Sequence, residues 1–380
     1  MISFDLTPEQ EAIRDLARDF AAKEIAPRAA HHDRTGEFPT EICKKAHEAG
    51  LMNTVIPSDF GGPGLGGIED CLIHEEIGYG CAGIMLPIVA NNLACQPLNL
   101  SASPEQKKEF FGRLTDECSW AAYCLSEPAA GSDVLGMKST AEKKGDRYIL
   151  NGVKQWITNG GVAAWFVVFA HTDKSKGHKG VSCFIVPRDL PGVQVQKKED
   201  MMGQRASSTC QIVFENVEVP ERYRVGEEGT GFYTAMKTFD RTRAPIAAGA
   251  VGLARRARDY SIKYSKEREA FGKPISELQA VQFMIADMDR DIEAGRLLCW
   301  QASWLADAGR KNSRETAVAK LFCADAAMRI ANDAVQIFGG YGYSREYPVE
   351  KLMRDAKVIQ IYEGTSQVQR LVIARALLRD

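Results

Sequence analysis

Between residues 278 and 338 the apolar residues fall into two long series. Leu278, Val281, Ile285, Met288, Ile292, Gly295 and Cys299 recur at alternating spacings of three and four. Ala317, Leu321, Ala324, Met328, Ala331, Val335 and Phe338 do the same. That spacing puts each series on one face of a helix. Two such faces must be covered by one another and by further helices, which predicts a helix bundle from Gly231 onward. Gln336-Ile337-Phe338-Gly339-Gly340 closes the second series on two glycines, a helix stop.

The rest of the chain divides in two. Thr7-Pro8-Glu9-Gln10 is a helix start: Thr7 caps, Pro8 suits the first helical position and Gln10 completes a capping box. Ile13, Leu16, Ala17, Phe20 and Ile25 follow as a helical stripe. Further helices fit Pro39 to Ala49, Ile68 to Tyr79, Pro87 to Leu98 and Pro104 to Leu114, separated by turns. Near Trp120 the pattern changes. Ala121 to Leu125, Arg147 to Ile157, Trp165 to Ala170, Val181 to Val186, Val193 to Val195 and Cys210 to Val217 are β-branched or aromatic runs bounded by turn residues. The Arg147 to Ile157 run reads as two strands about a glycine turn. The expected fold class is α+β: an N-terminal all-α domain over 1–120, a central β-barrel or sandwich over 121–228, and a C-terminal four-helix bundle over 229–380.

Several functions are excluded early. A net charge of -2 over 380 residues argues against a nucleic-acid binder, which would show a basic face. Ten cysteines stand singly without a C-x-x-C pair, so they read as reduced thiols. His31, His32, His47 and His74 lack ligand spacing, and no metal is expected. No apolar run approaches the roughly 20 residues of a membrane span. Gly62-Pro63-Gly64-Leu65-Gly66-Gly67 matches G-x-G-x-x-G, but the next segments look helical and Tyr79 to Pro104 contain no acid, so it reads as a loop.

The stretch that carries chemistry is Ile359-Gln360-Ile361-Tyr362-Glu363-Gly364-Thr365-Ser366-Gln367. One carboxylate stands in an apolar run, followed by a glycine that permits a sharp turn and a helix capped by Thr365 or Ser366. Desolvation of Glu363 would raise its pKa and suit it to act as a general base near neutral pH. No histidine follows His178. A base in the C-terminal part is therefore a carboxylate, a lysine or a tyrosine. An exposed turn glutamate before a capped helix is the alternative.

The same stretch resembles the acyl-CoA dehydrogenases, most closely their short- and medium-chain members, in which Ile-Tyr-Glu-Gly-Thr carries the catalytic base. The resemblance extends in order through Tyr123-Cys124-Leu125-Ser126-Glu127-Pro128-Ala129-Ala130-Gly131-Ser132-Asp133, Trp156-Ile157-Thr158-Asn159-Gly160, Phe239-Asp240-Arg241-Thr242-Arg243, and Tyr347 to Lys357. It implies FAD contacts at Tyr123, Leu125, Ser126, Gly131, Ser132, Trp156, Ile157, Thr158, Arg268, Phe271, Gln279, Gln336, Ile337, Gly339, Gly340, Thr365 and Gln367. It implies substrate contacts at Ser132, Asp240, Arg243, Tyr362, Gly364 and Arg375. The family commonly has Thr-Glu-Pro-Gly where this chain has Ser126-Glu127-Pro128-Ala129. Some relatives place their catalytic glutamate at the position of Thr242, which leaves Glu363 as the base here.

The activity implied is α,β-dehydrogenation of a short- to medium-chain acyl-CoA to a trans-2-enoyl-CoA. Glu363 removes the α-proton, a β-hydride passes to FAD, and electrons leave to an electron-transfer flavoprotein. The Gln336 to Gly340 turn implies a homotetramer, a dimer of dimers with shared cofactor sites. Cys81 to Asn92 matches the helix lining the deep end of the acyl cavity. Alternatives are an acyl-CoA oxidase, a branched-chain dehydrogenase, or a non-catalytic acyl-CoA-binding scaffold. A start at Met1 suggests a cytoplasmic protein, with the mitochondrial matrix as the alternative.

Overall fold

The computed structural model describes residues 4–378. Five helices come first: α1 (Pro8–Phe20), α2 (Ala29–Thr35), α3 (Thr40–Glu48), α4 (Gly67–Ser101) and α5 (Pro104–Thr115). Both members of the capping box at Thr7 and Gln10 are formed. Ala17, Phe20 and Ile25 of the expected stripe are buried, whereas Leu16 is exposed.

The expected break between Tyr79 and Pro87 is not a turn. α4 runs through it, interrupted only at Cys81, whose backbone is extended at φ -172° and ψ 117°. By length and composition this helix is apolar enough to cross a membrane, which the separate short runs did not suggest; most of it is buried inside the protein. It lies against α6 (Gly231–Glu267). A Cβ on Gly78 would stand 2.5 Å from the Gly249 oxygen, and one on Gly252 would stand 2.0 Å from the Glu75 oxygen. Only glycine lets these two backbones approach so closely.

Buried carboxylates tie the helices together. Glu75 accepts from Arg255 at 2.8 Å and from Arg296 at 2.8 Å, and Glu76 from Arg18 and Arg255 at 3.0 Å each. Ion pairs this enclosed must be fully matched, because an unpartnered buried charge is costly.

The strands are β1 (Ala121–Cys124), β2 (Thr140–Lys144), β3 (Arg147–Ile157), β4 (Trp165–His171), β5 (Val181–Pro187), β6 (Val193–Lys198), β7 (Cys210–Pro220) and β8 (Arg224–Val225). They form one mixed sheet in the order β6-β7-β3-β2-β4-β5-β8, with β1 parallel to β4. A single residue pair, Thr140 with His171, joins its halves. Tyr148 meets Phe184 at 4.9 Å and Phe166 meets Phe214 at 6.2 Å across the fold, so the halves share one core as in a sandwich. Arg147 to Ile157 is one strand rather than two, with shifts in register beside Gly152 and before Ile157.

Beyond α6 come a two-residue hairpin of β9 (Glu269–Ala270) and β10 (Lys273–Pro274), then α7 (Gln279–Asp307), α8 (Ser313–Phe338), α9 (Val349–Ile359) and α10 (Ser366–Leu378). Met288, Ile292, Gly295 and Cys299 of the α7 series are buried. On α8 the buried face is wider than the expected stripe. Ala317, Ala324, Ala331 and Phe338 belong to it, and so do Cys323, Ala327, Ile330 and a lysine, Lys320.

Candidate active site

Glu363 lies in the turn between α9 and α10 with φ 56°, and Gly364 follows at φ 89°. A non-glycine residue in the left-handed region is strained by roughly 1–2 kcal/mol, so surrounding groups must hold it. Arg243 Nε donates to the Glu363 carbonyl at 2.9 Å, and Gln369 Nε2 donates to the same oxygen at 3.1 Å and to the Gly364 carbonyl at 3.0 Å. Lys320 Nζ donates to the Gly364 carbonyl at 2.6 Å. Downstream, Thr365 Oγ1 caps α10 by accepting from Val368 N at 3.1 Å, and Ser366 Oγ donates to Asp325 at 2.8 Å. Gly364 has a backbone that few L side chains adopt, and a Cβ there would sit 2.6 Å from Gln369 Nε2 and displace that amide from the two carbonyls it holds.

Glu363 is half-buried, and its carboxylate is largely withdrawn from water by its neighbours. Thr242 Oγ1 donates to its Oε2 at 3.0 Å. Desolvation raises its pKa above the ordinary glutamate range, and the charge of Arg243, the Thr242 hydroxyl, Lys320 and His74 oppose that rise without cancelling it. A carboxylate in this environment binds a proton more readily than an exposed glutamate does, which suits a general base.

Asp240 and Arg243 do not form the close i, i+3 pair that their spacing allows. They stand 4.0 Å apart, Asp240 accepts instead from Ser313 Oγ at 2.6 Å, and Arg243 turns to the Glu363 backbone. The Arg243 guanidinium also lies over the Phe239 ring at 5.1 Å, and Phe239 meets Tyr123 at 5.8 Å. β1, α6 and the Glu363 turn therefore meet at one place. Tyr362 reaches Gln204 Nε2 at 3.5 Å.

The Tyr123 and Trp156 segments are neighbours. Gln155 N donates to the Ser126 carbonyl at 2.9 Å. Below them Lys154 Nζ donates to the Leu125 carbonyl at 3.2 Å and to Glu127 Oε1 at 2.8 Å. Glu127 also accepts from the amides of Lys138 at 2.6 Å and Ser139 at 3.1 Å. Ala129 is not among the residues with positive φ, so alanine meets no strain where relatives carry glycine. Thr158 lies just beyond the end of β3, so it and Trp156 share no strand face. Trp156 has φ 63°, which breaks the alternation at the end of β3, and its indole is 57% exposed. Ile157 is buried, while Gly131 and Ser132 are exposed on the adjoining loop.

The remaining expected cofactor residues lie elsewhere. Arg268, Ile337, Gly339 and Gly340 line an open groove of about 400 Å³ with Tyr264, Phe338 and Tyr341. Phe271 is 90% exposed at φ 56° on the adjacent hairpin, and Gln279 begins α7 nearby. From Thr242 to Arg268 α6 rises about 39 Å, at about 1.5 Å for each of 26 residues. The groove is therefore at the opposite end of the helix from Glu363. Gln336 is exposed at the end of α8, Gln367 is exposed at the start of α10, and Arg375 is exposed toward the end of α10.

Sequence reasoning did not identify Lys320, Gln369, Lys154, Glu127 or His74 as parts of these sites. A lysine within the alanine-rich face of α8 was the available signal for Lys320.

Family models for the N-terminal, middle and C-terminal domains of acyl-CoA dehydrogenase match residues 7–117, 122–217 and 229–378. A probable medium-chain specific acyl-CoA dehydrogenase 2, mitochondrial, of Caenorhabditis briggsae is 46% identical, with 99% of this chain and 92% of that protein covered. Butyryl-CoA dehydrogenase of Megasphaera elsdenii superposes with a TM-score of 0.96 at 41% identity, over 100% of both chains. A chain in the structure described as the electron transferring flavoprotein of Acidaminococcus fermentans superposes at 0.97 with 44% identity, again over 100% of both.

The chain belongs to the acyl-CoA dehydrogenase family. It is an oxidoreductase, its cofactor is FAD, and its reaction is the dehydrogenation of an acyl-CoA.

Proposed function

We propose that the protein oxidises a straight short- to medium-chain acyl-CoA to its trans-2-enoyl-CoA, with Glu363 as the base that takes the α-proton. The observation that carries this is the Glu363 carboxylate itself, half-buried, held by Thr242 at 3.0 Å and raised in pKa by desolvation.

The residues present fit a flavin. The exposed Trp156 indole offers a flat face beside Leu125, Ser126 and Thr158. A Cβ at Gly131, Gly339 or Gly340 would meet nothing within 4 Å, so these stretches leave open space for a ligand. Arg268 supplies a forked cation for a pyrophosphate. When bound, FAD supplies the two-electron acceptor that oxidation of a C–C bond requires. The chain's own work is to place and polarise the substrate. No hydrogen bond among the described residues uses the Glu363 N–H. That amide is free to donate to a thioester oxygen, stabilising the charge that grows there as the α-proton leaves. Arg243 and Gln369 hold the peptide that carries the carboxylate, and Thr242 orients its oxygens.

One FAD cannot reach both ends of α6. We assign the Trp156 segment, Thr365 and Gln367 to the flavin of one subunit. Arg268, Phe271, Gln279 and the Gln336 to Gly340 turn serve that of another, in a homotetramer built as a dimer of dimers. An electron-transfer flavoprotein is the proposed electron acceptor, in keeping with the structural relative described by that name. The ten free thiols suit a reducing compartment, the cytoplasm or the mitochondrial matrix.

The side chains of α4 support the chain length. Met85 is fully buried, and its sulfur occupies the space above Gly249, 2.6 Å from where a Cβ would stand. A bulky side chain at that place favours short to medium chains, in keeping with the butyryl- and medium-chain names among the relatives. Turnover of butyryl-, octanoyl- and isobutyryl-CoA tests the assignment. A strong preference for isobutyryl-CoA would replace straight chains with branched ones.

A further inference from the structure

Three lysines are buried among the described residues: Lys154, Lys320 and Lys351. Buried lysines are rare unless a carboxylate pairs with them. Lys154 has Glu127 at 2.8 Å, and Lys351 pairs closely with Asp355. Lys320, at 0% exposure, has neither. Its hydrogen bond goes to a neutral carbonyl, that of Gly364, the residue after the base. A lysine serving only to join α8 to the turn would be cheaper as a glutamine. Something about its charge is being used.

We propose that Lys320 is a positioning residue of the dehydrogenation: its ammonium pins the turn that carries Glu363 and balances the charge of that carboxylate. The proposal rests on Glu363 being the base. Two carbonyls in succession are held, Glu363 O by Arg243 and Gln369 and Gly364 O by Gln369 and Lys320. Holding both fixes the peptide between two positive-φ residues. The charges around the carboxylate are Arg243 from α6, with Asp240 behind it, His74 from α4, Lys320 from α8, with Asp325 one turn on, and the phenols Tyr123 from β1 and Tyr362 in the turn. Arg243 is the larger cationic influence on Glu363, and Lys320 adds to it. Burial draws Lys320 down to about 8, and Glu363 is the first group opposing that fall. Lys320 is thus charged at neutral pH and loses its proton in mildly alkaline solution.

The test compares kcat/KM against pH for holoenzymes carrying Lys320→Gln, Lys320→Met and Lys320→Arg, with FAD content and thermal unfolding measured for each. Glutamine keeps a donor without charge, and methionine keeps neither. Both neutral variants should move the acid limb upward by about one pH unit, roughly tenfold in activity on that limb. Methionine should also lower the plateau, and arginine should return the limb toward that of the parent. An unmoved limb in both neutral variants, or an arginine variant displaced as far as glutamine, would overturn the proposal. A second reading needs no lysine substitution: the Glu363 carboxylate infrared band, identified by its loss in Glu363→Gln, should shift as pH passes about 8. A band that stays constant there contradicts the coupling. Retained activity in Glu363→Gln would instead overturn the base assignment, so the two failures are distinguishable.

Discussion

The Thr242 hydroxyl donates to the Glu363 carboxylate at 3.0 Å, joining the N-terminal third of α6 to a turn 121 residues later. The bond favours the ionised carboxylate and opposes the rise that burial imposes. Thr242→Val keeps the shape and removes the donor. The acid limb of kcat/KM should move up by about one pH unit, equivalent to about 1.4 kcal/mol, with little change at alkaline pH. A pH-rate profile checks this. A uniform drop at every pH would mean that Thr242 shapes the pocket without acting on the proton.

The raised pKa of Glu363 also has a sign in stability. The folded chain binds this proton more tightly than the unfolded chain does, so ionising Glu363 opposes folding. The penalty is absent below the ordinary glutamate pKa and is complete above the raised value. Glu363→Gln should therefore unfold at a higher temperature than the parent at neutral pH, by about 1 °C for about 1 kcal/mol. The difference should fade as the solution is made acid. Calorimetry at pH 7.5 and pH 4 measures it.

Lys154→Met should be far more damaging than its distance from Glu363 suggests. It leaves the Glu127 carboxylate buried beside two amides and no cation. Breaking such a pair costs about 3–5 kcal/mol. Because the same lysine holds Leu125, bound flavin should fall as well. Denaturant unfolding and flavin absorbance per chain report the two effects.

Arg268→Ala removes an exposed side chain from the groove at the far end of α6. Folding should be almost unaffected while FAD content drops severalfold. A mixture of Arg268→Ala with Trp156→Ala chains should recover part of the flavin if the two groups serve one cofactor from different subunits. No recovery over the separate variants would count against shared sites.

Much of the architecture was legible in the sequence because periodicity reports burial directly. The change of period near Trp120 and the two series on α7 and α8 are visible residue by residue. The errors were local. The stretch between Tyr79 and Pro87 looked like a turn between two helices, but tertiary packing against α6 keeps the helix going and confines the irregularity to Cys81. Gly152 looked like a turn in β3 and is an irregularity in register. Glu363 was legible through its apolar neighbours and the glycine after it. Lys320 and Gln369 were not, since nothing in their own neighbourhoods records that they meet a turn on another helix pair. Lys154 and Glu127 were hidden for the same reason: a buried pair is evident only once β3 and the loop after β1 are adjacent.

The most direct test of Glu363 as the base is an anaerobic titration of the purified FAD-loaded protein and its Glu363→Gln variant with butyryl-CoA and octanoyl-CoA, following visible flavin absorbance. The parent should bleach with at least one of them. The variant should keep its yellow colour and its affinity for acyl-CoA but lose nearly all bleaching. A variant that bleaches at a rate near the parent's would place the base elsewhere.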